Sequence, residues 1–257
     1  MTKLSIIVIT KNEAHNIGDC LASVAFADEK IVFDSGSTDD TVSVCQQYTS
    51  RVTVTPDWPG DGPQKNRALA TATGEWVLCL DADERVSEAL AQEILAAIQN
   101  DRGFAAYEIP YQSTYCGKPL RFGDWRNESH VRLFKRGLAS FTENIVHCHL
   151  QVHGKTGKLK HAIIHHPFHH LGAMLFKLND YSTQSAKALF AKGRKATLTT
   201  ALSRSLWSFF RGYFLKLGLL DGKEGFLLAV SNAQGTYYRY LKLMYLWQAH
   251  QNKGTCR

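Results

Sequence analysis

The apolar positions near the start of the chain come in a nearly unbroken run, Leu4-Ser5-Ile6-Ile7-Val8-Ile9-Thr10, rich in β-branched residues and closed by the polar turn Lys11-Asn12-Glu13-Ala14-His15-Asn16. Such a run predicts a strand covered on both faces in a parallel sheet. Ile17, Leu21 and Val24 then recur at helical spacing. Lys30-Ile31-Val32-Phe33 predicts a second strand, and the small polar residues from Asp34 to Thr41 supply an N-cap for a helix over residues 42–48. A third short strand covers residues 51–54. Pro56, Pro59, Gly60, Gly62 and Pro63 interrupt the pattern, and a helix opens at Gln64. Residues 76–80 return to the sheet and run directly into Asp81-Ala82-Asp83-Glu84, with a further helix beginning near Ser87. Strands and helices alternating at this spacing predict a nucleotide-binding half-domain, with ligands beyond the carboxyl ends of the strands.

The pattern is less regular afterwards. Residues 106–111 and 130–134 read as strands, joined by an aromatic, polar loop in which Asp124 and Trp125 offer a resting place for an acceptor. Histidines accumulate between Thr142 and His170, but their spacing matches no standard zinc finger and paired Cys ligands are missing, so they read as polar residues of strands and loops. From about Leu175 the chain turns basic and aromatic. Leu202, Leu206, Phe209, Tyr213 and Leu217 share one helical face, opposite Arg204 and Arg211. Phe226, Val230, Tyr237, Leu241 and Met244 repeat the pattern with Arg239 and Lys242 outward, and Gly218, Gly222 and Gly225 interrupt between them. These are two amphipathic helices, suited either to a packed hairpin or to in-plane contact with a membrane. The expected division is residues 1–172 and 173–257.

Composition narrows the chemistry only a little. The 257 residues carry a net charge of +7 with a pI near 9.1, which suits nucleotides, phospholipid headgroups or nucleic acid without choosing among them. Six scattered cysteines form no Cys-x-x-Cys pair and read as reduced thiols of a cytosolic protein. The first apolar run meets polar residues too soon for a signal peptide, and no stretch has the length of a transmembrane helix. Asp81 and Asp83, alternate residues on an extended segment, are placed to share a divalent cation and its phosphate ligands. For an isolated Asp-x-Asp, a solvated turn capping the next helix is the plainer alternative.

Taken together, residues 5–13, Asp34-Ser35-Gly36-Ser37-Thr38-Asp39, Lys65-Asn66-Arg67-Ala68 and Leu80-Asp81-Ala82-Asp83-Glu84 resemble family 2 glycosyltransferases of the GT-A fold, a likeness that covers about residues 3–170. Val131-Arg132-Leu133-Phe134-Lys135-Arg136 and the segment around Asp221-Gly222 resemble the branch containing bacterial lipopolysaccharide inner-core β-1,4-glucosyltransferases. The resemblance implies an α/β, Rossmann-like nucleotide-sugar-binding domain with a C-terminal amphipathic helical extension. It also implies a UDP-sugar donor, a divalent metal (Mg2+ or Mn2+), inversion at the anomeric carbon and a lipid-linked saccharide acceptor.

Position by position, the resemblance places Thr10, Asn12, Glu13 and Asp34 at the uridine, and Lys65 and Arg67 near the pyrophosphate. Asp81 falls closer to the ribose or just behind the metal's direct ligands, Asp83 on the metal, and His165 or His166 completes the metal site. One departure stands out: related sequences carry His-Glu where this chain has His147-Cys148, and that acid is the family's expected base. Cys148 therefore occupies the base position, and Glu143 is the nearest upstream carboxylate. The resulting expectation is a cytosolic hexosyltransferase, peripheral on the anionic surface of the inner membrane, with no nucleic-acid partner. A catalytically impaired nucleotide-sugar-binding protein is the alternative. A nucleotidyltransferase would need a Gly-rich triphosphate loop at the first strand turn, which the sequence lacks.

Overall fold

The structure is a computed structural model that describes residues 3–143 and 148–254, with side chains described as far as residue 251. The chain forms two compact units: Met1–Gln112 with Asn127–His165, and Ser113–Arg126 with His166–Arg257.

In the first unit, β1 (Leu4–Thr10), α1 (Ala14–Ser23), β2 (Glu29–Asp34), α2 (Thr41–Gln46), β3 (Val52–Val54), α3 (Asp61–Thr71) and β4 (Trp76–Asp81) alternate as expected. The parallel strands lie in the order β3-β2-β1-β4. The continuous apolar runs have a simple cause, since successive side chains point to opposite faces and both faces are covered. Ile6, Val8, Leu78 and Leu80 pack with Ile17 and Leu21 of α1. Ile7, Val77 and Cys79 pack on the other face with Ala68 of α3, Phe134 and Phe141.

After β4 come β5 (Glu84–Val86), α4 (Glu88–Gln99) and β6 (Ala106–Tyr115), followed by β7 (Lys118–Pro119) and β8 (Ser129–Lys135). The unit finishes with β9 (Ala139–Phe141), β10 (Leu150–Val152), β11 (Thr156–Lys158) and β12 (Ile163–His165). Ser87 caps α4 by accepting a hydrogen bond from the Leu90 amide at 3.3 Å. β8 lies antiparallel between β4 and β6, and β12 pairs antiparallel with β5 so that His165 stands opposite Glu84. The short strands β5, β7 and β9 to β12 carry no period-2 run of useful length, which is why the sequence pattern did not reveal them.

α3 starts at Asp61 rather than Gln64. Gly60, at φ 111°, turns the chain into the helix, and Gly62 passes so close to Thr142 that an added Cβ would lie 1.8 Å from its carbonyl oxygen. Pro63 is tolerated because the first helical turn has no intrahelical acceptor for its missing N–H.

The second unit contains three helices instead of the two expected: α5 (Leu171–Ala191), α6 (Leu198–Phe210) and α7 (Gly222–Gly254). α6 continues into a π-helical segment, Arg211–Leu215, and a 3-10 turn, Gly218–Asp221. Gly218 and Gly225 are required by close approach, since a Cβ on Gly225 would meet the Gly218 carbonyl oxygen at 1.8 Å. Lys242 does not point outward. Its ammonium turns onto α5, donating to the Asn179 carbonyl at 2.8 Å, Ser182 at 2.8 Å and Thr183 at 2.7 Å. A small apolar cluster of Tyr115, Leu120, Phe168, Met174 and Leu228 completes the unit. Among the described residues no helix is long and apolar enough to cross a membrane.

Gly62→Ala is expected to destabilise the protein by about 1–3 kcal/mol, the usual result of forcing extra atoms into a packed contact. Urea unfolding monitored by circular dichroism checks this, and a midpoint equal to the parent's would refute the close approach.

Candidate active site

Two turns at the carboxyl edge of the parallel strands are tied together by side chain to backbone bonds. Asn12, whose φ of 55° is tolerated by an Asn, accepts from the Thr38 amide at 2.8 Å, while its own amide donates to Ser37 at 2.8 Å. The Glu13 amide donates to Thr41 Oγ1 at 2.8 Å. Asp34 is fully buried, and one carboxylate oxygen accepts from the Gly36 and Ser37 amides at 3.0 and 2.8 Å while the other accepts from the Ser37 hydroxyl. It therefore organises its own loop, with three of about four acceptor positions used. Thr10, at the end of β1, holds a buried hydroxyl that has no hydrogen-bond partner among the described residues. Orphaned buried hydroxyls are costly, so a polar group belonging to a ligand is the natural complement.

The acidic turn after β4 is the electrostatic centre of the site. Lys65 Nζ, carried by α3, reaches Asp81 Oδ1 at 2.8 Å, and Arg132, carried by β8, reaches Asp81 Oδ2 at 2.6 Å and Glu84 Oε1 at 2.7 Å. Tyr111 donates its hydroxyl to Glu84 Oε1 at 2.6 Å, and the Asp81 amide donates to Glu84 Oε2 at 3.0 Å. Burial by itself would raise the Asp81 carboxyl, but the Arg132 and Lys65 cations outweigh it and hold it well below the usual carboxylate range. Burial pushes Glu84 up, and Arg132 opposes the shift. Lys65 stays firmly protonated: burial would lower it, and the Asp81 charge reverses the effect. Two cations and two carboxylates thus nearly cancel, and neither Asp81 oxygen is left without a cation.

Asp83 has a different neighbour. His165 Nε2 lies 3.6 Å from Asp83 Oδ2 because β12 runs beside β5. Burial alone would lower the His165 imidazole, and the Asp83 carboxylate lifts it above its ordinary value. His166 turns elsewhere, its Nδ1 3.1 Å from Thr114 Oγ1 and its ring stacked on His169. A carboxylate and an imidazole at this separation form a donor set that fits Mg2+ or Mn2+ with part of its coordination sphere supplied by phosphate and water. Among the described residues no group of three or more His, Cys, Asp and Glu converges on one point.

Several expected residues serve other ends. Arg67 makes a bidentate pair with Asp57, at 2.9 and 2.7 Å, and so fastens the proline-rich loop instead of standing free for a pyrophosphate. Cys148 is half-buried against the cluster of Ile7, Val77 and Phe134, and burial pushes its thiol up, which withdraws it from base chemistry at neutral pH. Glu143 is exposed, and His147 lies outside the described residues. In the second unit Asp124 is held by Arg211 and Lys216 at 3.0 Å each and by Asn232 at 3.2 Å, while Trp125 packs 6.0 Å from Phe168. Binding an acceptor through Asp124 would require it to abandon those partners. Arg132, Tyr111 and Glu84 were given no site role from the sequence, although Glu84 closes the acidic turn and a lone Arg within the apolar strand Val131-Arg132-Leu133-Phe134 was an available signal.

Removing one partner of a buried charge pair leaves the other uncompensated, so Arg132→Met is expected to cost about 3–5 kcal/mol at neutral pH. Without the guanidinium, Glu84, already raised by burial, rises further and Asp81 is held down by Lys65 alone, so the deficit is complete above the variant's folded-state pKa values and shrinks as the pH falls through them. Urea unfolding at neutral and mildly acidic pH checks both the size and the sign.

Comparison with known proteins bears on what this geometry serves. The profile described as glycosyl transferase family 2 matches residues 5–156. A glycosyltransferase of Rickettsia felis is 32% identical over 257 residues, covering 95% of this chain and 90% of its own. The lipopolysaccharide core biosynthesis glycosyltransferase LpsC of Rhizobium meliloti is 29% identical over 260 residues, covering 97% and 94%. The crystal structure of Staphylococcus aureus TarS matches with a TM-score of 0.50 at 19% identity, covering 70% of this chain and 39% of that one, a likeness of fold. With its mixed sheet, parallel through β3-β2-β1-β4, and an acidic turn at those strands' carboxyl edge, this chain belongs to glycosyl transferase family 2.

Proposed function

We propose that the protein transfers a hexose, glucose first among them, from a UDP-sugar to a lipopolysaccharide-core or other lipid-linked saccharide at an anionic membrane surface, with inversion. The observation that carries the reading is the acidic turn, where the Asp83–His165 pair stands beside an Asp81 whose two oxygens hold Lys65 and Arg132. The similarity to LpsC over nearly the whole of both chains supports the lipopolysaccharide-core acceptor.

Each residue has a chemical task in this reading. Thr10 offers its unpaired hydroxyl to the nucleoside, and the cross-tied turns at Asn12, Glu13 and Asp34 shape the pocket around it. An ammonium has three N–H donors and a guanidinium five, so Lys65 and Arg132 keep donors beyond those used on the described residues. They can stabilise the diphosphate as it departs with the bond's electrons. Asp83 and His165 would hold the cation, which supplies Lewis-acid stabilisation of the leaving UDP. Glu143 takes the proton of the attacking acceptor hydroxyl, a role from which Cys148 is withdrawn by its raised pKa.

Asp83→Asn is expected to abolish transfer nearly completely and to remove the metal dependence of UDP binding while leaving the fold intact. A panel of UDP-sugars tested for transfer and by calorimetry, with Mn2+ and with chelator, is the decisive measurement. Full activity in excess chelator, or a normally active Asp83→Asn protein, would refute the metal assignment.

Glu143→Gln is expected to lower the transfer rate at saturating donor by about 10²–10⁴, the contribution of a positioned base. Cys148→Ala should leave it nearly unchanged. The reverse pattern would place the base at the thiol.

A further inference from the structure

The second unit concentrates two properties that sugar transfer itself does not use. It carries sixteen Lys and Arg against four Asp and Glu, a formal +12, whereas the first unit carries fourteen against nineteen, a formal −5. Among the described residues, every exposed large apolar side chain except Tyr48, Val54, Trp58 and Leu138 also lies in the second unit. These side chains are densest where α6 passes into the π-helical segment. Leu206, Trp207, Phe210 and Phe214, which share a helical face, are 72%, 52%, 45% and 45% exposed, and Leu215, Leu219 and Leu220, also exposed, follow in the chain. A soluble monomer rarely leaves so many large apolar side chains of one segment uncovered.

Two cations lie in the same segment. Arg211 and Lys216 meet the same oxygen of Asp124, each at 3.0 Å, yet both side chains remain about two-fifths exposed. One carboxylate cannot neutralise two cations, so the cluster keeps a surplus positive charge and unused N–H donors. The close approach of Gly212 to Asp124, where an added Cβ would lie 3.0 Å from Oδ2, holds the arrangement in place.

We propose that the segment from Leu206 to Leu220 is a wedge for an anionic bilayer: Trp207, Phe210, Phe214 and Leu215 enter the interfacial region while Arg211 and Lys216, positioned by Asp124, bind lipid phosphates. The proposal rests on the reading of the protein as one that works at a membrane surface and adds the element and lipid chemistry that bring it there. The charge distribution selects a bilayer over a second copy of the chain, because pairing two copies through this segment would bring together two units of formal charge +12. The apolar surround selects lipid phosphate over a free anion, which would gain nothing from Trp207 and Phe210.

Sedimentation of the full-length protein with phosphatidylcholine vesicles, with and without phosphatidylglycerol, tests this. Binding is expected to require phosphatidylglycerol and to weaken with salt. R211Q and K216Q should each reduce the partition about fivefold, the effect of one basic residue near an anionic surface. The double variant Phe210→Ser/Phe214→Ser should abolish binding at every salt concentration. All three proteins should bind UDP like the parent, which establishes that they fold. Equal binding of parent and variants would overturn the wedge. So would a dimer, seen by light scattering, that the double variant dissolves, or displacement from vesicles by inorganic phosphate at constant ionic strength. These vesicles carry no saccharide, so a protein that binds them but transfers no sugar would refute the catalytic reading and leave the wedge standing.

Discussion

Seating the half-buried Asp81 carboxylate at the end of β4 beside the fully buried Glu84 that opens β5 is the constraint on which the first unit depends. Isolated carboxylates there would lose hydration and turn neutral, and a neutral edge would bind neither a cation nor the donors that recognise a nucleotide sugar. The compensation comes from two other elements: Lys65 on α3, sixteen residues earlier, and Arg132 on β8, fifty-one residues later. Each has to arrive at its own carboxylate oxygen. The antiparallel insertion of β8 beside β4, with Leu78 opposite Leu133, is what brings Arg132 into range, and the close passage of Gly62 under Thr142 is what seats α3.

The same network separates the duties of the two acids in the turn. Asp81 is committed to its cations, whereas Asp83 faces the imidazole of His165 across the β5–β12 pairing. An acidic pair that looks symmetrical in sequence is therefore asymmetric in chemistry. One member sets the local charge balance, and the other has the donor environment suited to a divalent ion.

Charge is also segregated between the two units, and the whole-chain value of +7 conceals it. An acidic first unit suits a site that combines carboxylates with a cation. A strongly basic second unit with exposed aromatic side chains suits an anionic partner of large area. The second arrangement rests on the distribution of Lys, Arg and apolar side chains over α5, α6 and α7.

The alternation of strands and helices through β4, the acidic turn at its end and the helix beginning near Ser87 were all legible in the sequence. Each depends on residues close together in the chain, since continuous apolar runs report burial on both faces and helical spacing reports an apolar stripe. The partners of the charged residues were not legible. Nothing local distinguishes Arg67, which fastens a loop through Asp57, from Lys65, which faces Asp81 from the same helix two residues away. Nor does sequence spacing tell that His165 would meet Asp83 while His166 turned to Thr114, or that Lys242 would point inward to α5. Periodicity determined which segments are buried. Only the tertiary structure decided which charges meet, because that depends on the register between strands and helices brought together from distant parts of the chain.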